Sequence, residues 1–143
     1  MDGDKMPSTS LVAPVAGGTE KLTINLGVVD LGQIDLLVRE GFYSNRTDLI
    51  RTAIRNQLSS HADALMRTVT RQSLHLGLQH ITRNDLEEAC AAGKVLNIRV
   101  VGLVRIADDV SPKLARAAIR SVSVLGAFHA SAGIRRALAD RMT

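Results

Sequence analysis

Tryptophan is absent from this 143-residue sequence, and tyrosine and phenylalanine together supply only three side chains. With aromatics at 2%, stacking on bases or sugars is not expected as a main mode of recognition. Cysteine occurs once, as Cys90, so no disulfide forms within the chain, which fits a reducing cytosol. No apolar run is long enough to span a bilayer. The opening "MDGDKMPSTS" is too acidic and polar for a secretory signal, so the expected location is cytoplasmic, with no membrane partner. There is no glycine-rich phosphate loop after a strand, no paired carboxylates in context and no activated nucleophile. An enzyme is not expected. His61, His75, His80 and His129 are scattered and make no two-ligand spacing with Cys90, so no metal or other cofactor is expected.

What is present suffices for a folded protein. Apolar residues make up 45% of the chain, enough for a core, and the net charge of +4 with a pI near 9.8 admits nucleic acid as a partner. The charge is unevenly spread: residues 94–143 hold nine basic groups against three acidic ones. Residues 1–19 carry Gly, Pro and Ser without periodicity and read as a mobile tail.

"KLTINL", residues 21–26, alternates without a slip: Leu22, Ile24 and Leu26 to one side, Lys21, Thr23 and Asn25 to the other. That is the period of a half-buried strand. Two helices are expected after it. Asp30 and Gln33 fit a capping box that opens the first, Leu31, Ile34, Leu37 and Val38 form its apolar face, and Gly41 stops it. In "YSNRTDLIRTAIRNQL", Ser44 or Asn45 caps the second, with Asn45 and Asp48 as another box and Leu49, Ile50, Ala53, Ile54 and Leu58 as its stripe. Arg51 and Arg55, four apart, read as a solvated face.

A lone strand cannot satisfy its own backbone groups, and about forty residues cannot close a core. The economical solution is a two-fold dimer in which the strand pairs antiparallel with its own copy. The dimer core is then Leu22, Ile24, Leu26, Leu31, Ile34, Val38, Ile50 and Ile54.

"KLTINL", the Gly41 stop and "YSNRTDLIRTAIR" resemble the ribbon-helix-helix family of DNA-binding proteins, the CopG-, Arc- and MetJ-like regulators, over residues 20–58. The resemblance implies a two-stranded ribbon in the major groove of double-stranded DNA, with Lys21, Thr23 and Asn25 facing base edges. Their chemistry suits this: Lys donates to guanine O6 or N7, Thr bonds a base edge or touches a thymine methyl, and Asn pairs bidentately with adenine. It also implies that the start of the second helix, Ser44, Asn45, Arg46 and Thr47, holds a backbone phosphate.

Residues 59–70 read as a helix extension or linker. Residues 71–143 read as a second domain that repeats. Each of three units has an apolar strand-like run, a glycine (Gly77, Gly102, Gly126), a cap (Thr82, Ser111, Ser131) and a short helix, with Pro112 at a first helical position. "LNIRVVGLVRI" is apolar on parts of both faces, as for a strand covered on both sides. Lys113, Arg116 and Arg120 are expected on one face of the second unit's helix, as a solvated face or a patch for DNA or an acidic partner. The fold class is α+β: a ribbon-helix-helix followed by strand-helix repeats.

The expected function is a dimeric, sequence-specific transcriptional regulator, a bacterial repressor, whose residues 71–143 join dimers into larger oligomers or bind another protein. The competing readings are a DNA-binding antitoxin and a structural protein that self-assembles through residues 71–143.

Overall fold

The computed structural model describes residues 18–143. All but Gly18 and Thr19 of the expected tail lies outside the described residues. The chain divides into two compact units, residues 21–71 and residues 72–143, with the segment up to Glu20 grouped with the latter.

The first unit is helical. Helix α1 runs Val28–Arg39, α2 Arg46–Ser60 and α3 Ala62–Arg71. Helix α1 starts earlier than the expected box at Asp30. Gly27 is its N-cap, without a side-chain bond, and the Gly27 carbonyl accepts from Leu31 N–H at 3.0 Å. Asp30 instead sits inside the first turn, where its charge favours the positive end of the helix dipole. The helix ends as anticipated at Gly41, whose φ of +87° is left-handed. Phe42 N–H reaches back to the Leu37 carbonyl and Gly41 N–H to that of Val38, a Schellman pair that satisfies two otherwise free carbonyls. Asn45 caps α2 by accepting from Asp48 N–H at 2.8 Å, and the Asp48 carboxylate accepts from Ser44 N–H at 3.0 Å. The reciprocal bond thus lands one residue before the cap. The expected linker, residues 59–70, is divided between the end of α2, His61 and α3, which extends one residue past it.

The second unit alternates strands and helices: β1 His75–Ile81, α4 Arg83–Ala91, β2 Leu96–Ile106, α5 Pro112–Ala118, β3 Ile119–His129 and α6 Ala132–Leu138. The strands form one parallel sheet in the order β1-β2-β3. Parallel neighbours need a crossover, and each is supplied by one short helix. Thr82, Ser111 and Ser131 are the three caps, accepting from the N–H groups of Asp85, Leu114 and Ile134. At Thr82 the box is complete: Asp85 also accepts from Thr82 N–H at 2.9 Å, and those bonds hold its carboxyl below the usual value.

Alternation along the strands builds the core. Ile98, Val100, Val104 and Ile106 of β2, with Ile81 and Val122, are buried against Leu86 of α4, Ala115 and Ala118 of α5, and Ile134 and Leu138 of α6. The opposite sheet face is also apolar. There Leu103 and Ala127 are buried, whereas Leu76, Leu78 and Leu125 stay exposed.

Gly77, Gly102 and Gly126 lie side by side in register across the three strands, all with positive φ. The reason is close approach. A Cβ on Gly102 would lie 2.1 Å from the Gly77 carbonyl oxygen, and one on Gly126 would lie 2.0 Å from that of Gly102. Only glycine fits at Gly102 and Gly126.

Three arginines of this unit staple the chain to itself. Arg116 grips Asp140 with two hydrogen bonds, at 2.8 and 3.0 Å, and donates a third to the Ala137 carbonyl. Arg141 donates to the carbonyls of Arg116 and Ile119. Arg135 lies over the Phe128 ring, 5.4 Å from its centroid, and donates to the Phe128 carbonyl. The expected row of Lys113, Arg116 and Arg120 on one helix does not form, because α5 ends at Ala118 and Arg120 belongs to β3. Propensity favoured a longer helix, but the sheet claims Ile119 onward, where Ile119 is fully buried.

Candidate nucleic-acid interface

Residues 21–26 make no strand within the chain. The expected β pairing needs a hydrogen-bonded neighbour, and among the described residues of the single chain this segment has no strand partner. Lys21, Thr23 and Asn25 are exposed, as base-reading side chains must be. Leu22 and Ile24, however, are also exposed, at 81% and 58%.

The same holds through the rest of the unit. None of residues 21–71 is buried. Leu31, Ile34, Val38 and Ile50 are half-buried, Leu26 is exposed, and Ile54 on α2 remains 50% exposed. Phe42, just past the Gly41 stop, is 70% exposed. Sequence reading did not include Phe42 in the apolar set, since a single aromatic outside any periodic stripe carries no helical signal.

The start of α2 gathers a polar depression of about 430 Å³, lined by Ser44, Asn45, Thr47, Asp48, Arg51 and Arg55. Three of the expected phosphate-facing residues therefore come together. Arg51 and Arg55, read from sequence as a solvated face, join them because one and two helical turns carry their long side chains back along the axis toward the helix start. The i, i+4 spacing of two arginines following an N-cap was the signal available for this.

Arg46 goes elsewhere. Its Nε and Nη2 donate to the two carboxylate oxygens of Asp35, at 2.7 and 2.9 Å, joining the start of α2 to the middle of α1. The bidentate hydrogen bonds lower the Asp35 carboxyl below its usual range and raise the Arg46 guanidinium. Arg46 fixes the angle between the two helices, with much of its charge already answered by Asp35.

The second unit has a cleft of about 480 Å³ at the carboxyl ends of its strands, where His80, Arg105 and His129 are neighbours in register. His129 Nε2 lies 3.4 Å from Glu20. Among the described residues, no three His, Cys, Asp or Glu side chains gather to hold a metal, and no helix is long and apolar enough to cross a membrane. Cys90 is exposed.

A family model described as the ribbon-helix-helix transcriptional regulator family matches residues 17–135. The match runs far beyond the residues that carried the resemblance and takes in most of the strand-helix unit. No curated protein and no solved structure matches the chain.

Proposed function

The chain belongs to the ribbon-helix-helix transcriptional regulator family, and from that premise we propose that it is a cytoplasmic repressor that reads the major groove as a homodimer. Residues 21–26 of two copies pair antiparallel, putting Lys21, Thr23 and Asn25 toward base edges and Leu22, Ile24 and Leu26 toward the helices. A two-stranded ribbon fits the major groove, and these three side chains carry donors and acceptors that discriminate bases there.

The observation that carries this reading is the absence of any buried residue in residues 21–71, set against an apolar stripe on every element. Three helices and an extended segment hold a well-defined arrangement only if that stripe is covered. A second copy covers it and supplies the missing hydrogen-bond partner for residues 21–26 in one step.

The depression at the start of α2 supports phosphate contact. The first N–H groups of a helix point outward, the dipole favours an anion, and Ser44 and Thr47 add hydroxyls. Arg51 and Arg55 bring charge to the same place. Two such depressions per dimer would straddle the ribbon and fix its register without reading sequence.

The test is selection of bound sequences from random duplex DNA, followed by titration of the selected site. The reading requires a preferred site with two-fold symmetry and loss of that preference when Lys21, Thr23 and Asn25 are replaced by alanine. A chain that binds no duplex DNA preferentially, or whose preference survives the three replacements, is not such a reader.

A further inference from the structure

The glycine row has a direction. Gly102 and Gly126 each offer their Cα side to the carbonyl oxygen of the strand before: Gly102 to Gly77, and Gly126 to Gly102. At the two ends of the sheet the same halves are left over. On β1, the space where a Gly77 Cβ would point contains nothing within 4 Å except a ring nitrogen of its own strand's His75, at 4.0 Å. On β3, no further strand among the described residues follows Gly126 in the sheet. One edge thus lacks a carbonyl to receive and the other lacks a glycine to offer it to.

We propose that these edges pair with each other between chains, β3 of one copy against β1 of the next, extending the parallel sheet in unbroken register. Gly126 stacks on Gly77 of the neighbour by the close Cα–H to carbonyl approach already repeated twice within the chain. Only a second copy of this chain supplies a parallel edge with glycine at the required position.

Lengths agree with this. Strand β1 spans only His75–Ile81, paired with Val100–Ile106 of β2, and those β2 residues sit beside the stretch of β3 from Val124 onward. A neighbour's β1 therefore needs only that carboxyl-terminal half of the β3 edge. The other half is already taken: Met142 bridges to Val122, and Thr143 N–H donates to the Val122 carbonyl at 3.0 Å. That bridge lies short of Val124, where the incoming strand would begin.

Side chains agree as well. Leu76, Val101 and Leu125 form one row across the sheet, and Leu78, Leu103 and Ala127 another. Stacked strand-helix arrays normally present polar side chains at their terminal units. Here the terminal strands show Leu76, Leu78 and Leu125, each more than half exposed at 55%, 60% and 65%. Edge pairing brings Leu125 beside the neighbour's Leu76 and continues both rows. The contact is heterologous, so it grows chains or closes rings. It joins several copies of the chain and does not depend on how residues 21–71 act.

The experiment measures mass by light scattering against concentration for the full chain, for Leu76→Arg, for Leu125→Arg, and for the two variants mixed. Each arginine replaces an exposed leucine at one edge only. The parent should grow with concentration. Each variant alone should stay at a fixed small mass, because every junction needs both edges. The mixture should gain mass, because Leu76→Arg keeps a sound β3 edge and Leu125→Arg a sound β1 edge. Variants that are single chains make one junction and double, variants that are ribbon dimers carry two sound edges each and grow further, and either gain shows both variants folded. A parent no larger than the variants overturns the proposal. So does growth of either variant alone to the parent's extent, which indicates symmetric edge pairing, and so does a mixture no heavier than the variants alone. The fixed mass of the variants reads the ribbon dimer separately: two chains if residues 21–71 pair, one if they do not.

Discussion

The Gly102 Cα faces the Gly77 carbonyl oxygen so closely that a methyl group at Gly102 would lie 2.1 Å from it. Backbone sits on both sides of that contact, so no side chain can swing away to make room. Alanine at Gly102 meets this clash and also the cost of a positive φ, which alone is about 1–3 kcal/mol for a residue with a side chain. Alanine at Gly77 pays the conformational cost but finds open space within its own chain. In dilute protein, Gly102→Ala should therefore lower the thermal midpoint of the sheet unit well beyond Gly77→Ala. Equal losses in the two would mean that the close approach is not what requires glycine.

Ile24 and Ile54 are 58% and 50% exposed in the single chain. If residues 21–71 acted as a monomer, aspartate at either position would be nearly silent. If these side chains are buried on dimerisation, an unpaired carboxylate there is costly. The expected outcome for Ile24→Asp and Ile54→Asp is loss of the dimer and melting of α1 to α3, while the sheet unit keeps its own transition. Circular dichroism with sedimentation separates the two results.

Arg116 holds the Asp140 carboxyl at about 2, down from the usual 3.8, chiefly through their hydrogen bonds. A carboxyl whose folded value is depressed favours the fold when it is ionised. That contribution is complete above the unfolded value and is lost as pH falls from near 3.8 toward about 2. Asp140→Asn should therefore be less stable than the parent at neutral pH, and the gap should close on acidification through that window. A gap that is constant with pH would assign the loss to packing rather than to charge. Both side chains are exposed, so the effect is small.

Arg51 and Arg55 line the depression at the start of α2, whereas Arg46 is engaged by Asp35. Each phosphate neutralised by a side chain adds about one to the slope of log affinity against log salt. Arg51→Ala and Arg55→Ala should each flatten that slope by about one while leaving sequence preference unchanged. Arg46→Ala should flatten it less and instead loosen the α1–α2 contact. The slopes follow from titrations at several salt concentrations.

What could be read from sequence was whatever local chemistry dictates. Asn45, Thr82, Ser111 and Ser131 are caps because a short oxygen-bearing side chain before an apolar run has few better uses, and Gly41 stops a helix because its φ is left-handed. The spacing of Gly77, Gly102 and Gly126 was visible, but the carbonyl contact that requires them is between strands and leaves no local trace. Arg116 and Asp140 are likewise joined only by the fold, which gives Arg116 a structural use that its place in the sequence does not show. Helix α1 started before its apparent cap because Asp30 works equally well inside a first turn. Residues 21–26 show an alternation that is plain in sequence and unpaired in the single chain, as expected where the neighbouring strand belongs to another molecule.

The most direct test of that last point is binding of the selected DNA site by the full chain carrying Lys21→Ala, Thr23→Ala and Asn25→Ala together, compared with the parent at one salt concentration. Each side chain that reads a base is worth roughly 1–3 kcal/mol of discrimination. The account predicts that the triple variant remains a folded dimer and binds the selected site no better than unrelated duplex. A triple variant that still distinguishes the selected site as the parent does would contradict it.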